Sequence, residues 1–202
     1  MSTSHIDNKQ VAANQAVFNE VGLMDARMPS EASIQRSMLP QKDQSFSDWM
    51  KGRIALKSTR QYDWDALKFQ ADFDPKYRRA QMRYVGTGGT GVGKDQNTVP
   101  SAHFTFSTML IPAGNIGPSH IHYDVEEIFF VMRGSMKVIC EKEGERFEAI
   151  LGERDLISVP PGVYREEHNI GDEDALMCVM LGSPQPITPT YPPDSPLAKI
   201  KR

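Results

Sequence analysis

The sequence predicts an all-β fold, an antiparallel barrel or sandwich, preceded by a partly helical extension. Between residues 101 and 182, short β-like segments follow one another at close spacing: AHFTFSTMLI, HIHY, EIFFVM, SMKVICE, RFEAIL, DLISVP, VYREEHN and ALMCVML. No stretch between them has room for the crossover helix that a parallel βαβ unit requires. The chain has 202 residues and loose-looking ends, which is enough for one well-buried core and too little for two full domains.

Three regions follow from this pattern. Residues 1–75 are mixed and polar, with short helices expected around Val11 to Val21 and Ser45 to Met50, and with Pro29 and Pro40 as punctuation. Trp49, Tyr62, Trp64, Phe69 and Phe73 give this extension apolar anchors, which we read as packing residues against the β domain or a neighbouring subunit. Residues 76–182 are the β domain, opened by the strand candidate AQMRYV and the loop GTGGTGVG. Residues 183–202 form a proline-rich tail expected to run extended across a surface or a neighbouring subunit. Exposed sheet edges call for cover or pairing, so a homodimer is expected.

Composition excludes several classes of partner. Lysines and arginines number 23 against 26 acidic residues, a formal charge of -3, and no basic stripe is interleaved with aromatics, so no nucleic-acid partner is expected. Cys140 and Cys178 lie far apart without a CxxC context and read as ordinary buried thiols of a reducing compartment. The opening MSTSHIDNKQ lacks the apolar stretch of a signal sequence, and no later run approaches bilayer-spanning length. The expectation is a cytoplasmic protein with no membrane partner.

Two glycine signatures fail on context. Gly86, Gly88 and Gly91 spell GxGxxG after a strand-like segment, but KDQNTVPSAH follows, with no helix to receive a pyrophosphate. Gly88 to Lys94 spell GxxxxGK, yet Asp95 stands where a phosphate-binding loop needs a serine or threonine. The segment reads as a mobile loop over the mouth of a pocket.

The segment GNIGPSHIHYDVEEIFFVMRG, from Gly114 to Gly134, carries the chemistry. An extended strand sends alternate side chains to one face, so His120 and His122 can both point inward while Ile121 points away. Of the adjacent acids, Glu127 shares parity with Phe129 and Val131 and faces the interior; Glu126 faces the other way. Two imidazoles and a carboxylate with open positions beside them make a site for a divalent metal.

This segment resembles the first motif of the cupins, with Gly114, His120, His122, Glu127 and Gly134 filling every fixed position. In the second motif Pro160, Gly162 and Asn169 match, Arg154 precedes Asp155 where glycine-aspartate is common, and Arg165 stands where the family has a histidine. The resemblance covers roughly residues 99 to 182. It implies a jelly-roll, a double-stranded β-helix closed into a barrel, and a metal-dependent activity on a small organic substrate.

Arg165 leaves three arrangements open. A guanidinium has no lone pair to give a cation. His120, His122 and Glu127 would then suffice as ligands, with Arg165 binding a substrate carboxylate or enolate. Alternatively His168 is a fourth ligand, which requires a bulge in YREEHN because alternation puts it opposite Arg165. In the third, no metal is bound and Glu127 pairs with Arg165. His103 shares parity with Thr105, Ser107 and Met109; with that face inward it becomes a further ligand or a general base.

The chemistry expected is that of a dioxygenase acting on a small aromatic or enolisable substrate, with iron(II) as the ion and zinc, nickel or manganese as alternatives. A metal-dependent isomerase or lyase, and a non-catalytic small-molecule binder, are the competing readings.

Overall fold

A computed structural model of the chain describes residues 39–200 apart from 87–89, 91–94 and 96. The helix expected around Val11 to Val21, and Gly88, Gly91 and Lys94 of the glycine-rich loop, lie outside the described residues.

Helix α1, Phe46–Lys51, begins where Ser45 caps it: the Ser45 hydroxyl accepts from the Asp48 backbone N–H. Asp48 in its first turn and Lys51 in its last complement the helix dipole. No residue of α1 is buried. Helix α2, Lys68–Ala71, is a single turn that brings Gln70 inside, directly after the buried Leu67.

Nine strands follow: β1 (Ala80–Val85), β2 (Thr105–Ile111), β3 (Ile116–Ile121), β4 (Glu127–Arg133), β5 (Met136–Lys142), β6 (Glu145–Leu151), β7 (Leu156–Val159), β8 (Tyr164–Asn169) and β9 (Ala175–Leu181). They form a five-stranded sheet in the order β1-β2-β9-β4-β7 and a four-stranded sheet in the order β3-β8-β5-β6, antiparallel throughout.

The expected closed barrel does not form. Among the described residues no strand ladder joins the two sheets; β7 and β6 end them without a further partner strand, while Asp63 and Val99 make single bridges to β1 and Thr190 makes one to β3. A short helical region precedes them, so the fold is mixed rather than all-β. The physical reason lies in partner choice. Spacing counts strands, but β4 pairs with β7 and β9 while β5 pairs with β6 and β8, so consecutive strands part into different sheets. Closure would need a continuous, staggered ladder. The chain changes sheet at Gly134, whose φ of 91° lies in the left-handed region and whose absent Cβ would stand 3.1 Å from Ala175.

The inner faces meet in one apolar core. Met109, Ile111, Phe129, Val131, Met177 and Val179 come from the larger sheet, and Met136, Val138 and Leu151 from the smaller. Strand β9 alternates strictly between buried and half-buried positions, as a strand with one covered face should. Each such side chain contributes about 1.5–3 kcal/mol of burial. The tail returns to its own chain: Thr190 and Ile121 exchange backbone hydrogen bonds of 2.8 and 3.0 Å, and Tyr191 and Leu197 are buried. Among the described residues no helix is long and apolar enough to cross a membrane.

Candidate metal centre

Strand β3 and the residue that follows it deliver the two histidines. His120 lies near the end of β3 opposite Arg165 on β8, beyond a register shift that follows Gly117, and His122 lies just past the strand. Glu127 opens β4, held between Val159 of β7 and Leu181 of β9. All three side chains are buried, at 8%, 3% and 5% exposure.

Their ligand atoms converge. His120 Nε2 lies 3.4 Å and His122 Nε2 3.7 Å from Glu127 Oε2, and the three donors lie within 4.8 Å of one another. Donors about 2.1 Å from a common ion at angles of roughly 90–110° stand about 3.0–3.4 Å apart, so the 3.4 Å pair matches two donors on one divalent ion and the 3.7 Å pair is slightly wider. His120 Nδ1 is 2.9 Å from the Pro118 carbonyl oxygen. A carbonyl only accepts, so Nδ1 carries a proton, and in the neutral ring the Nε2 lone pair faces Glu127. Glu127 Oε2 is buried without a hydrogen-bond partner, an arrangement that costs free energy unless a cation meets it.

The protonation states suit a metal as well. Burial lowers the His122 imidazole to about 4, against the pull of Glu127, so it is neutral at pH 7. Burial alone would raise the Glu127 carboxyl, but His120, His122 and Arg165 outweigh it and bring it to about 2. A neutral imidazole and an ionised carboxylate are the forms that bind metal.

Arg165 is fully buried and stands beside the carboxylate rather than in the cavity. Its Nε is 3.7 Å from Glu127 Oε2, and its Nη2 donates to the Pro160 carbonyl at 3.0 Å. Strand β8 alternates without a bulge: Arg165, Glu167 and Asn169 point inward, and Tyr164, Glu166 and His168 lie on the half-buried face. His168 therefore contacts Glu166 through Nε2 and is not brought to the triad. His103 is exposed, two residues before β2 starts, and only Thr105, Ser107 and Met109 of its parity set reach the cavity wall. Glu126 accepts from the Ser158 hydroxyl outside the site.

The cavity beside the triad has an apolar side of Leu67, Met109, Phe129, Val179 and Leu181. Its polar side includes Gln70, Arg79, Gln81, Ser107, Glu167 and Tyr191. Arg79 and Glu167 are absent from the sequence-based site. Burial pushes the Glu167 carboxyl up, against the pull of Arg79 and His120. The available signal for Glu167 was parity, since it shares a face with Arg165 two positions earlier. Arg79, ahead of β1, offered no local signal.

A family model described as a cupin domain matches residues 107–181. No curated protein matches the chain by sequence. Among solved structures, the chain is similar to Peruvianin-I, described as a cysteine peptidase from Thevetia peruviana latex, at a TM-score of 0.50 and 14% identity. That match covers 67% of this chain and 75% of the other, and the likeness is one of fold alone. A recombinant oxalate oxidase in complex with glycolate matches at a TM-score of 0.45 and 20% identity, over 56% of this chain and 54% of that one. KdgF from Halomonas sp. matches at 0.45 and 15%, over 65% and 93%. The chain spans about half the length of the oxalate oxidases it matches.

Proposed function

Residues 107–181 form a cupin domain, and from that premise we propose that the protein is a metal-dependent enzyme acting on a small organic substrate. In its most specific form it is an iron(II) dioxygenase for an aromatic or enolisable compound. The observation that carries the reading is the convergence of His120 Nε2, His122 Nε2 and Glu127 Oε2 on one buried point. Two imidazoles and one carboxylate leave positions open, the arrangement of non-haem iron oxygenases.

Bound iron(II) supplies Lewis acidity and electron transfer toward dioxygen. The chain's own residues do the rest. His120 is held in one tautomer by the Pro118 carbonyl, and Glu127 contributes the negative charge. Arg165, in van der Waals reach of Glu127 and sealed from solvent, adds positive charge behind the carboxylate and favours an anionic substrate in front of it. Met109, Phe129, Val179 and Leu181 exclude water from the reacting side.

One observation favours isomerase or lyase chemistry instead. Glu167 is a buried acid on the cavity wall, outside the ligand set and with its affinity for a proton raised, which is what a proton-transfer group needs. Oxygen uptake separates the two readings. Iron-loaded protein consuming oxygen with phenolic or enolic compounds, and losing that uptake in Glu127→Ala, supports the dioxygenase. Substrate conversion without oxygen uptake supports the isomerase or lyase.

The proposal extends to a homodimer. Strand β6 lies at a free edge of the smaller sheet and leaves Phe147 and Ile150 58% and 70% exposed, a surface that pairing would cover. Sedimentation at twice the 22.7 kDa chain mass supports it, and a monomer contradicts it.

A further inference from the structure

The triad occupies one part of the cavity, and a second polar constellation lines another. Arg79 and Glu167 are 4% and 3% exposed, both on the cavity wall. The guanidinium is fixed at its outer nitrogens: Nη1 donates to the Ile116 carbonyl at 2.9 Å and Nη2 donates to Gln70 Oε1 at 3.0 Å. Gln70 is held in turn, its Nε2 donating to the Tyr191 hydroxyl at 2.6 Å. The Arg79 Nε–H is the guanidinium donor nearest Glu167, yet Nε and Glu167 Oε1 are 4.0 Å apart. That is too far for a hydrogen bond. Arg79 Nε and Glu167 Oε2 are both buried without a hydrogen-bond partner.

Buried polar groups of this kind are nearly always satisfied. An oxygen about 2.7–2.9 Å from both Nε and the Glu167 carboxylate fits the 4.0 Å between Nε and Oε1. It must accept from Nε–H and donate to the carboxylate. A hydroxyl does both, as a water molecule does, whereas a carboxylate or carbonyl can only accept.

We infer that Arg79 and Glu167 form a hydroxyl-binding subsite, and that the ligand is a small hydroxy acid whose carboxylate meets the metal while its hydroxyl bridges this pair. The inference rests on the metal-dependent reading above and narrows its substrate class. Gln70 and Tyr191 are positioning residues for Arg79. The subsite selects by penalty: an analogue without the hydroxyl leaves two buried groups unpaired, which a site of this type rejects strongly.

The test uses full-length protein loaded with iron(II) under argon, and calorimetric binding of three matched pairs: glycolate and acetate, 3-hydroxypropanoate and propanoate, 4-hydroxybutanoate and butanoate. At least one hydroxy acid should bind tenfold or more tightly than its parent. Glu167→Gln and Arg79→Gln should cut that preference below threefold while iron content stays unchanged. Equal affinity within all three pairs overturns the inference, as does a preference that survives in both variants or a loss of iron from them. A second readout needs no metal, namely crystals of metal-free protein soaked in ethylene glycol. A glycol hydroxyl within hydrogen-bonding distance of both Arg79 Nε and Glu167 supports the subsite, and its absence from that gap overturns it. Failure to hold iron would sink the proposed function while leaving this second readout intact.

Discussion

Glu167 fills the volume that a side chain on Gly117 would need. The two residues face each other across the β3–β8 ladder, and a Cβ built on Gly117 would lie 2.0 Å from Glu167 Oε1. The carboxylate reaches the cavity wall beside Arg79 only because its partner is a glycine. Gly117→Ala must push the carboxyl group aside within a buried, charged setting. The expected cost is about 1–3 kcal/mol in urea unfolding; an unchanged midpoint would show that the carboxyl moves freely.

Arg154 adopts φ of 70°, in the left-handed region, just before Asp155, whose carboxylate accepts from the Gly152 N–H at 2.9 Å. This is the place where the cupin motif commonly has glycine, and the backbone keeps the conformation that glycine tolerates best. Arg154→Gly should therefore stabilise the protein by about 1 kcal/mol. A rise of about 2–4 °C in the thermal midpoint is the expected reading for a chain of this size.

Acid should unfold the metal-free protein through two groups. His122 has a folded pKa of about 4 against an ordinary 6.5, and Glu127 about 2 against 4.5. Both values are depressed, so between each pair of values the unfolded chain binds more protons than the fold. Stability from His122 is present above 6.5 and is lost as pH falls through about 4; that from Glu127 is present above 4.5 and is lost toward 2. Each is worth up to about 3 kcal/mol. Unfolding free energy measured from pH 7 down to 4 should fall steadily, and a flat profile would contradict the buried, neutral state of His122.

Arg165 holds a position next to Glu127 where a third imidazole would bring a lone pair and no charge. Arg165→His removes a buried cation from the metal's neighbourhood and adds a donor. Iron(II) affinity, measured by competition with a fluorescent chelator, should rise at least tenfold. No change would show that residue 165 lies outside the reach of the ion.

The triad was legible in the sequence because everything that makes it is local. Alternation puts His120 and His122 on one face, parity separates Glu127 from Glu126, and the structure keeps both relations. His103 shows the limit of the same rule, since β2 starts at Thr105 and parity has no force before a strand begins. His168 needed a bulge that β8 does not have. The barrel expectation failed for a related reason: strand spacing is local, whereas the parting of β4 and β5 into different sheets depends on partners far along the chain. Arg79, Gln70 and Tyr191 meet across 9 and 121 positions of sequence separation, a proximity that only the packed fold creates.

The most direct test of the metal centre is elemental analysis of protein purified anaerobically without chelators, beside the same preparation of Glu127→Ala. Near one equivalent of a divalent metal per chain, falling below a tenth in the variant, is the predicted result. Less than a tenth of an equivalent of every metal in the unaltered protein, with no recovery on adding iron(II) under argon, would contradict it.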